Sequence, residues 1–315
     1  MNNKLLIVGT MAYDDIETPF GREKKILGGA ATYIGLSASQ FALDCALISV
    51  IGEYFEERHL NLLKSKKIDI SGVEIVKGGE TFFWRGKYKK DLNTRSTVET
   101  RLNVLENFNP IIPENLRSPD ILMLGNLSPD VQIKAIEQIK NKPKLIILDT
   151  MNFWMDNFRT QLDEVIAKVD VISVNDEEAR QLTGEYSLVK AARIILELGP
   201  RYVIIKKGEH GALLFHEDQV FSAPALPIDE VFDPTGAGDS FAGGFAGYLT
   251  QNLDFSFKNM KSAVIYGSAM ASFTVEKFGT ESLVKYSSLS MFNRLKAFKE
   301  LTNFEIEFQQ KNTYQ

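Results

Sequence analysis

The sequence predicts a three-layer α/β/α fold, doubly wound around a mostly parallel sheet, with a small β-sheet lid. Three observations carry this. Short apolar runs recur at residues 5–8, 46–50, 121–124, 145–148, 171–174 and 203–205, bounded by Gly, Pro and Asp. Such runs suit strands buried on both faces, as in a parallel sheet. Segments with helical apolar spacing lie between them, the alternation of a doubly wound sheet with right-handed crossovers. Residues 79–101 break that pattern, being β-prone with no helix between them.

In chain order, Met1-Asn2-Asn3-Lys4 runs straight into residues 5–8. That run is too short for the apolar core of a signal peptide and reads as a buried strand. Residues 13–26 suggest a hairpin, and Thr81, Phe82, Phe83, Trp84, Arg85, Gly86, Lys87 and Tyr88, then 95–102, suggest further strands outside the main sheet. Together they predict a lid inserted at about 12–27 and 79–102 into one domain spanning 1–300. A helix over 131–139 follows the start signal Ser128-Pro129. Others over 176–182 and 187–198 end at Gly184 and Gly199-Pro200. Residues 301–315 are a polar tail expected to fray.

The 315 residues carry 36 basic and 41 acidic side chains, a net charge of −5 that gives no general attraction for nucleic acid. One cysteine, Cys45, excludes an intramolecular disulfide and a cysteine-based zinc site. No run approaches the ~18 apolar residues of a membrane helix. A cytoplasmic enzyme or small-molecule binding protein is expected, with neither nucleic acid nor membrane as partner.

The most informative stretch is Val231-Phe232-Asp233-Pro234-Thr235-Gly236-Ala237-Gly238-Asp239-Ser240-Phe241-Ala242-Gly243-Gly244-Phe245. Asp233-Pro234-Thr235 is a turn able to start a helix near Gly236. Free N–H groups there carry the positive end of the helix dipole, and glycines let an anion approach the backbone. Phe241, Phe245, Tyr248 and Leu249 predict one apolar face. Gly243, Gly244 and Gly247 cost about 1 kcal/mol each against Ala, so the helix is expected to pack closely on a neighbour or ligand. Asp239, in the first turn, is placed to take a proton from a hydroxyl while the N–H groups hold a phosphate. The bland alternative is an ordinary helix start with a capping Asp, and the pattern alone leaves both open. Walker-A spacing is absent, as is Gly-x-Gly-x-x-Gly after the first strand.

Asp233 to Phe241 resembles the C-terminal signature of the ribokinase-like (PfkB) family of carbohydrate and nucleoside kinases. The resemblance covers nearly the whole chain and implies a ribokinase-like fold. It implies Asp239 as catalytic base and Gly236, Ala237 and Gly238 as an anion hole. Gly28-Gly29-Ala30-Ala31, ahead of an Ala/Ser-rich helix, resembles the family's substrate motif, and Asp14 matches its hydroxyl-binding acid. Where the family often has Asn, Tyr33 stands here, which tells against ribose-like specificity.

Asn175-Asp176-Glu177-Glu178 resembles the Asn-x-x-Glu motif, with Asn175 and Glu178 ordering water around Mg²⁺. Asp149 and Asn152 match cleft positions near the phosphates. Lys207 and Gly208 match the ATP loop, and Thr235 stands with them on the nucleotide side. Residues 269–273 and 277–280 resemble segments flanking adenine. The latter loop and Asp233 imply a monovalent cation such as K⁺, and lid strands that pair between subunits imply a homodimer. The reading is an ATP-dependent phosphotransferase acting on an alcohol of a sugar or sugar derivative. The alternative is a nucleoside kinase, because Tyr33 and the lid aromatics can stack on a base. The third possibility is a non-catalytic ligand-binding regulator on the same fold.

Overall fold

The computed structural model describes residues 3–41, 44–303 and 305. The strands are β1 (Lys4–Val8), β2 (Ala12–Thr18), β3 (Gly21–Gly28), β4 (Asp44–Gly52), β5 (Ile68–Val76), β6 (Phe83–Tyr88), β7 (Arg95–Arg101), β8 (Ile121–Leu124), β9 (Leu145–Asp149), β10 (Val171–Asn175), β11 (Tyr202–Lys206), β12 (Ala212–His216) and β13 (Gln219–Ala223). The main sheet has nine strands in the order β13-β12-β11-β10-β9-β8-β1-β4-β5. From β5 to β11 every pairing is parallel, whereas β12 pairs antiparallel with both β11 and β13. Each apolar run expected to be a central strand is one, because helices cover both faces and neither has to be polar.

Alternate residues sort to opposite faces. Leu5 and Ile7 join the core beneath the helices Ala30–Ala38, Ala237–Asn252 and Phe257–Thr274, while Leu6 and Val8 join the core beneath Pro129–Glu137, Arg159–Ile166, Asp176–Thr183 and Leu188–Glu197. The three layers follow.

A second sheet has the order β3-β2-β6-β7, with β2 and β6 parallel and the outer pairings antiparallel. It leaves the main sheet right after β1 and again after β5, so it stands over the end of the sheet from which those connections emerge.

The helix Ala237–Asn252 departs from the single apolar face its spacing suggested. It is buried from Ser240 through Gly247. A side chain added at Gly243 would meet Ile34 O, and one at Gly244 would meet Met270, so neighbouring helices press on it from two sides. Strands β5, β12 and β13 are additional to the expected set. β5 is an edge strand with largely exposed or half-buried residues and an internal Gly72, which hides it from an apolar-run criterion. The helix Ser288–Thr302 carries the chain through the start of the expected tail, and residues 304 and 306–315 lie outside the described residues. Among the described residues no helix is long and apolar enough to cross a membrane.

Candidate active site

The cleft lies where the carboxyl ends of the parallel strands, the start of the helix Ala237–Asn252 and the small sheet meet. Such strand ends are where open α/β sheets bind ligands.

The turn before the helix is held by Asp233, which is fully buried. Its Oδ1 accepts the Thr235 N–H at 2.9 Å and its Oδ2 accepts the Gly279 N–H at 3.0 Å. This ties the turn to the loop beyond the helix Phe257–Thr274. Gly236 then caps the helix at φ 74, a left-handed conformation natural to glycine. A Cβ there would also sit 2.5 Å from the Tyr33 ring. Among the described residues the N–H groups of Gly238 and Asp239 have no protein acceptor, whereas Ala237 donates to Pro234 O at 3.2 Å. The open donors thus centre on Gly238 and Asp239, at the positive end of a long buried helix.

Asp239 is pushed up to about 7 by burial and by the negative charges of Asp149 and Glu178, with Lys206 and Arg95 pulling the other way. Lys206 ends β11. Its Nζ donates to Asp149 Oδ2 at 2.9 Å and lies 3.2 Å from where a Gly238 Cβ would be. Burial pulls the ammonium down, but Asp149, Glu178 and Asp239 outweigh it and hold Lys206 above its ordinary value. A dedicated cation therefore sits beside the open N–H groups.

Asn175 and Glu178 form a capping box on the helix Asp176–Thr183. Glu178 N–H donates to Asn175 Oδ1 at 2.8 Å, and Asn175 N–H donates to Glu178 Oε2 at 2.7 Å. The box leaves Glu178 Oε1 uncommitted. Burial, with Asp149 adding to it against Lys206, pushes Glu178 up to about 7. A carboxyl so placed gains from an arriving divalent cation. Asn152, by contrast, is engaged with Gln181 at 2.5 Å. Among the described residues no three His, Cys, Asp or Glu side chains form a metal cluster.

On the opposite side, Asp14 is buried on β2 and packed on Gly28, whose Cβ would overlap its carboxylate. Burial, then the charges of Asp233, Asp239 and Asp15, raise Asp14 well above the usual carboxylate range. Gly29 caps the helix Ala30–Ala38 at φ 92, and Ala30 N–H donates to Thr10 Oγ1 at 2.9 Å. Tyr33 is buried, its hydroxyl has no partner, and burial followed by Asp233, Asp14 and Asp239 raises it well above its ordinary value. Asp14, Gly28, Gly29, Tyr33, Gly236 and Asp239 thus converge from four separate elements.

A cavity of about 530 Å³ opens on the far side of Gly238. Lys206, Gly208, Ala237 and Gly238 line its polar end, while Leu226, Pro227, Phe241, Ala271 and Val275 give apolar walls. A charged end with open N–H groups and a greasy body suit a nucleotide triphosphate. Lys207 is half-buried outside the lining, with its N–H donating to Gly211 O at 2.7 Å, and the side chain of His210 is 75% exposed.

The small sheet touches both halves. Thr235 Oγ1 donates to the Tyr88 hydroxyl at 3.0 Å. At the β6–β7 turn, Asn93 Nδ2 donates to Glu209 Oε1 at 3.2 Å. Lys206 and Tyr88 are additions to the expected residues, and Arg95 is one of four lid charges, with Arg85, Lys87 and Arg101, that the sequence offers as able to reach a phosphate. Strand parity signals Lys206: on β11, Tyr202 and Ile204 face the signature helix and Val203 and Ile205 face away, so 206, not 207, points into the cleft.

Comparison with known proteins bears on family and fold. The model of the pfkB family carbohydrate kinases matches residues 4–285. The chain is 33% identical over 251 residues to a cytidine kinase of Thermococcus kodakarensis, covering 78% of this chain and 88% of that protein. It is 27% identical over 308 residues to a nucleoside kinase of Methanothermobacter thermautotrophicus, covering 88% and 91%. In fold it resembles the Methanocaldococcus jannaschii nucleoside kinase, with TM-score 0.75 and 21% identity, covering 93% of this chain and 98% of that one. An Escherichia coli protein described as a ribokinase II, solved with ATP and Mg²⁺, matches at TM-score 0.78 and 20% identity over 93% and 99%.

Proposed function

The chain belongs to the pfkB family of carbohydrate kinases, and on that footing we propose that it phosphorylates a hydroxyl of a nucleoside, with ATP as donor. It is a phosphotransferase acting on an alcohol of a sugar or nucleoside. The observation that carries the residue roles is Asp239, titrating near 7 between the open N–H groups and the Asp14 side of the cleft.

Asp239 takes the proton of the acceptor hydroxyl as that oxygen attacks the γ-phosphorus. The N–H groups of Gly236, Gly238 and Asp239 hold the transferring oxygens, with Lys206 beside them, while Ala237 keeps its N–H on Pro234 O. Asp14 and the backbone at Gly28 and Gly29 hold acceptor hydroxyls, and Tyr33 walls that site. Gly208 and Thr235 border the nucleotide side. Mg²⁺ arriving with the nucleotide would neutralise phosphate charge, and the Asn175–Glu178 box would order its water through Glu178 Oε1. A monovalent cation, K⁺ in the first instance, belongs beside Asp233 and the 277–280 loop in this reading. Residues 1–300 act as one kinase domain whose small sheet closes as a lid. Its exposed edge β7 is the surface proposed to pair in a homodimer.

Trp84 supports the nucleoside over a free sugar. It pairs laterally with Asp14 and so lies on the same side of the small sheet, half-buried, with its indole packed against Gly86. That places an aromatic face beside the hydroxyl-binding acid. The likeness to cytidine and nucleoside kinases points the same way. A free sugar is the second reading, favoured by the family model's own description.

The test is a panel of nucleosides and sugars with Mg²⁺ and ATP, run with K⁺ or Na⁺ and read by ADP release and product mass. Cytidine or another nucleoside is expected to be phosphorylated, and Asp239→Asn to lower kcat by ~10²–10⁴. Turnover of sugars alone would establish the second reading. Ligand binding with no ADP from any acceptor would point to the regulator.

A further inference from the structure

We propose that Arg95, the first residue of β7, is a catalytic residue whose guanidinium donates hydrogen bonds to the phosphoryl group in flight. The assignment rests on the kinase reading above. It adds a charge supplied by the small sheet to a phosphate-handling group, Gly236, Gly238, Asp239 and Lys206, that otherwise comes from the large domain.

Three observations place it there. Arg95 pairs across the antiparallel ladder with Tyr88, and the Tyr88 hydroxyl accepts from Thr235, the residue before Gly236. The strand end bearing Arg95 is thereby pinned over the turn that presents the open N–H groups. Next, the small sheet carries Arg22, Arg85, Arg95 and Arg101. Arg22 and Arg85 pair with Asp15, Arg85 also with Glu99, and Arg101 with Glu99 and Glu80. Arg95 has no ion pair among the described residues; its guanidinium shares a side-chain hydrogen bond with the Tyr88 hydroxyl and rests 5.8 Å from the Trp84 ring. Finally, its field reaches into the cleft from above, opposing the upward push on Asp239, Glu178 and Tyr88.

Lys206 approaches the same point from the floor. A phosphoryl group beside Gly238 would lie between a compact ammonium and a planar fork of donors, the geometry suited to spreading charge over its equatorial oxygens. In the step the acceptor oxygen–phosphorus bond forms as the bond to the β–γ bridging oxygen breaks. The hydroxyl proton goes to Asp239, and Arg95 keeps all of its protons. Because Arg95 sits on the small sheet, its charge is in place only while that sheet covers the cleft.

The test compares Arg95→Ala, Arg95→Lys and, as control, Arg85→Ala, whose guanidinium is committed to the carboxylates of Asp15 and Glu99. Steady-state rates are measured with the best acceptor, with and without guanidinium chloride at tens of millimolar. Arg95→Ala is expected to lower kcat by ~10²–10³, as for loss of one transition-state donor, with acceptor KM changed only a few-fold. Added guanidinium restores part of that rate, Arg95→Lys falls in between, and Arg85→Ala stays within a few-fold of wild type. A merely structural Arg95 would show no rescue and a loss carried by KM; that result, or an unchanged kcat, overturns the assignment. A wild-type protein that turns over no acceptor overturns instead the kinase reading beneath it.

Discussion

The acid limb of the pH–rate profile follows directly from the surroundings of Asp239. With its carboxyl at about 7, the free protein holds the base half-protonated at neutrality. Below that point kcat/KM should fall about tenfold per pH unit, reaching about one hundredth of its plateau at pH 5. Burial, Asp149 and Glu178 push Asp239 up, while Lys206 and Arg95 pull it down. Asp14, across the cleft, repels it as well. Replacing Lys206 by Met removes a pulling charge, so the limb must move to higher pH. A unit charge within several ångströms in an effective dielectric of about 20 contributes on the order of 2 kcal/mol, or more than one pH unit. Asp149→Asn removes a pushing charge and frees Lys206, so its limb must move to lower pH. The assay is kcat/KM for the acceptor from pH 5 to 9.5 at constant ionic strength. A flat wild-type profile between pH 5.5 and 8, or a Lys206→Met limb displaced toward acid, would refute this reasoning.

Three further outcomes are expected. The raised Asp239 gives the unliganded fold stability that is full below the ordinary carboxylate pKa and lost as pH rises through about 7; Asp239→Asn should therefore melt a few degrees higher than wild type at pH 8, read by calorimetry without ligand. Gly236→Ala forces a left-handed alanine against the Tyr33 ring; the backbone alone costs about 1–3 kcal/mol, which urea unfolding should register together with loss of turnover. Cys45 is buried in the core and its thiol is pushed up to about 12 by burial and then by Asp69, so a thiol reagent should label it only as the protein unfolds.

The central strands were legible because both their faces are buried, leaving uninterrupted apolar runs such as 121–124 that no helix period explains. β5 and β13 were not, since edge strands need satisfy only one side and mix polar residues freely; β12 lies inside the sheet, and its apolar run at 212–215 was within reach of the same criterion. The signature turn was legible as a helix start near Gly236, whereas the part expected of Asp239 came from the family resemblance, since the pattern alone left a plain capping Asp open. The finer points needed coordinates. Ala237 spends its N–H on Pro234 O, a turn bond that no residue type announces. Lys206 and Lys207 are identical in type, and only the register of β11 separates the one in the cleft from the one outside it. Arg95 looked like its paired neighbours on the sheet because ion pairing is a property of the folded arrangement.

The crowding of the signature helix has a consequence for how such a kinase can diverge. At Gly243 and Gly247 its backbone lies almost against that of the helix Ala30–Ala38 and the turn after it, and at Gly244 against the helix Phe257–Thr274. The first neighbour begins at Gly29 and carries Tyr33; the second lines the nucleotide cavity. Donor wall, acceptor wall and reacting turn are thus keyed to one rod by main chain touching main chain, with few rotamers able to give. Mutational drift in Trp84, the hairpin tips or the cavity rim can retune what is bound while the spacing between the two reactants stays put. Specificity is therefore free to wander at those positions, while the turn that carries Asp239 is not.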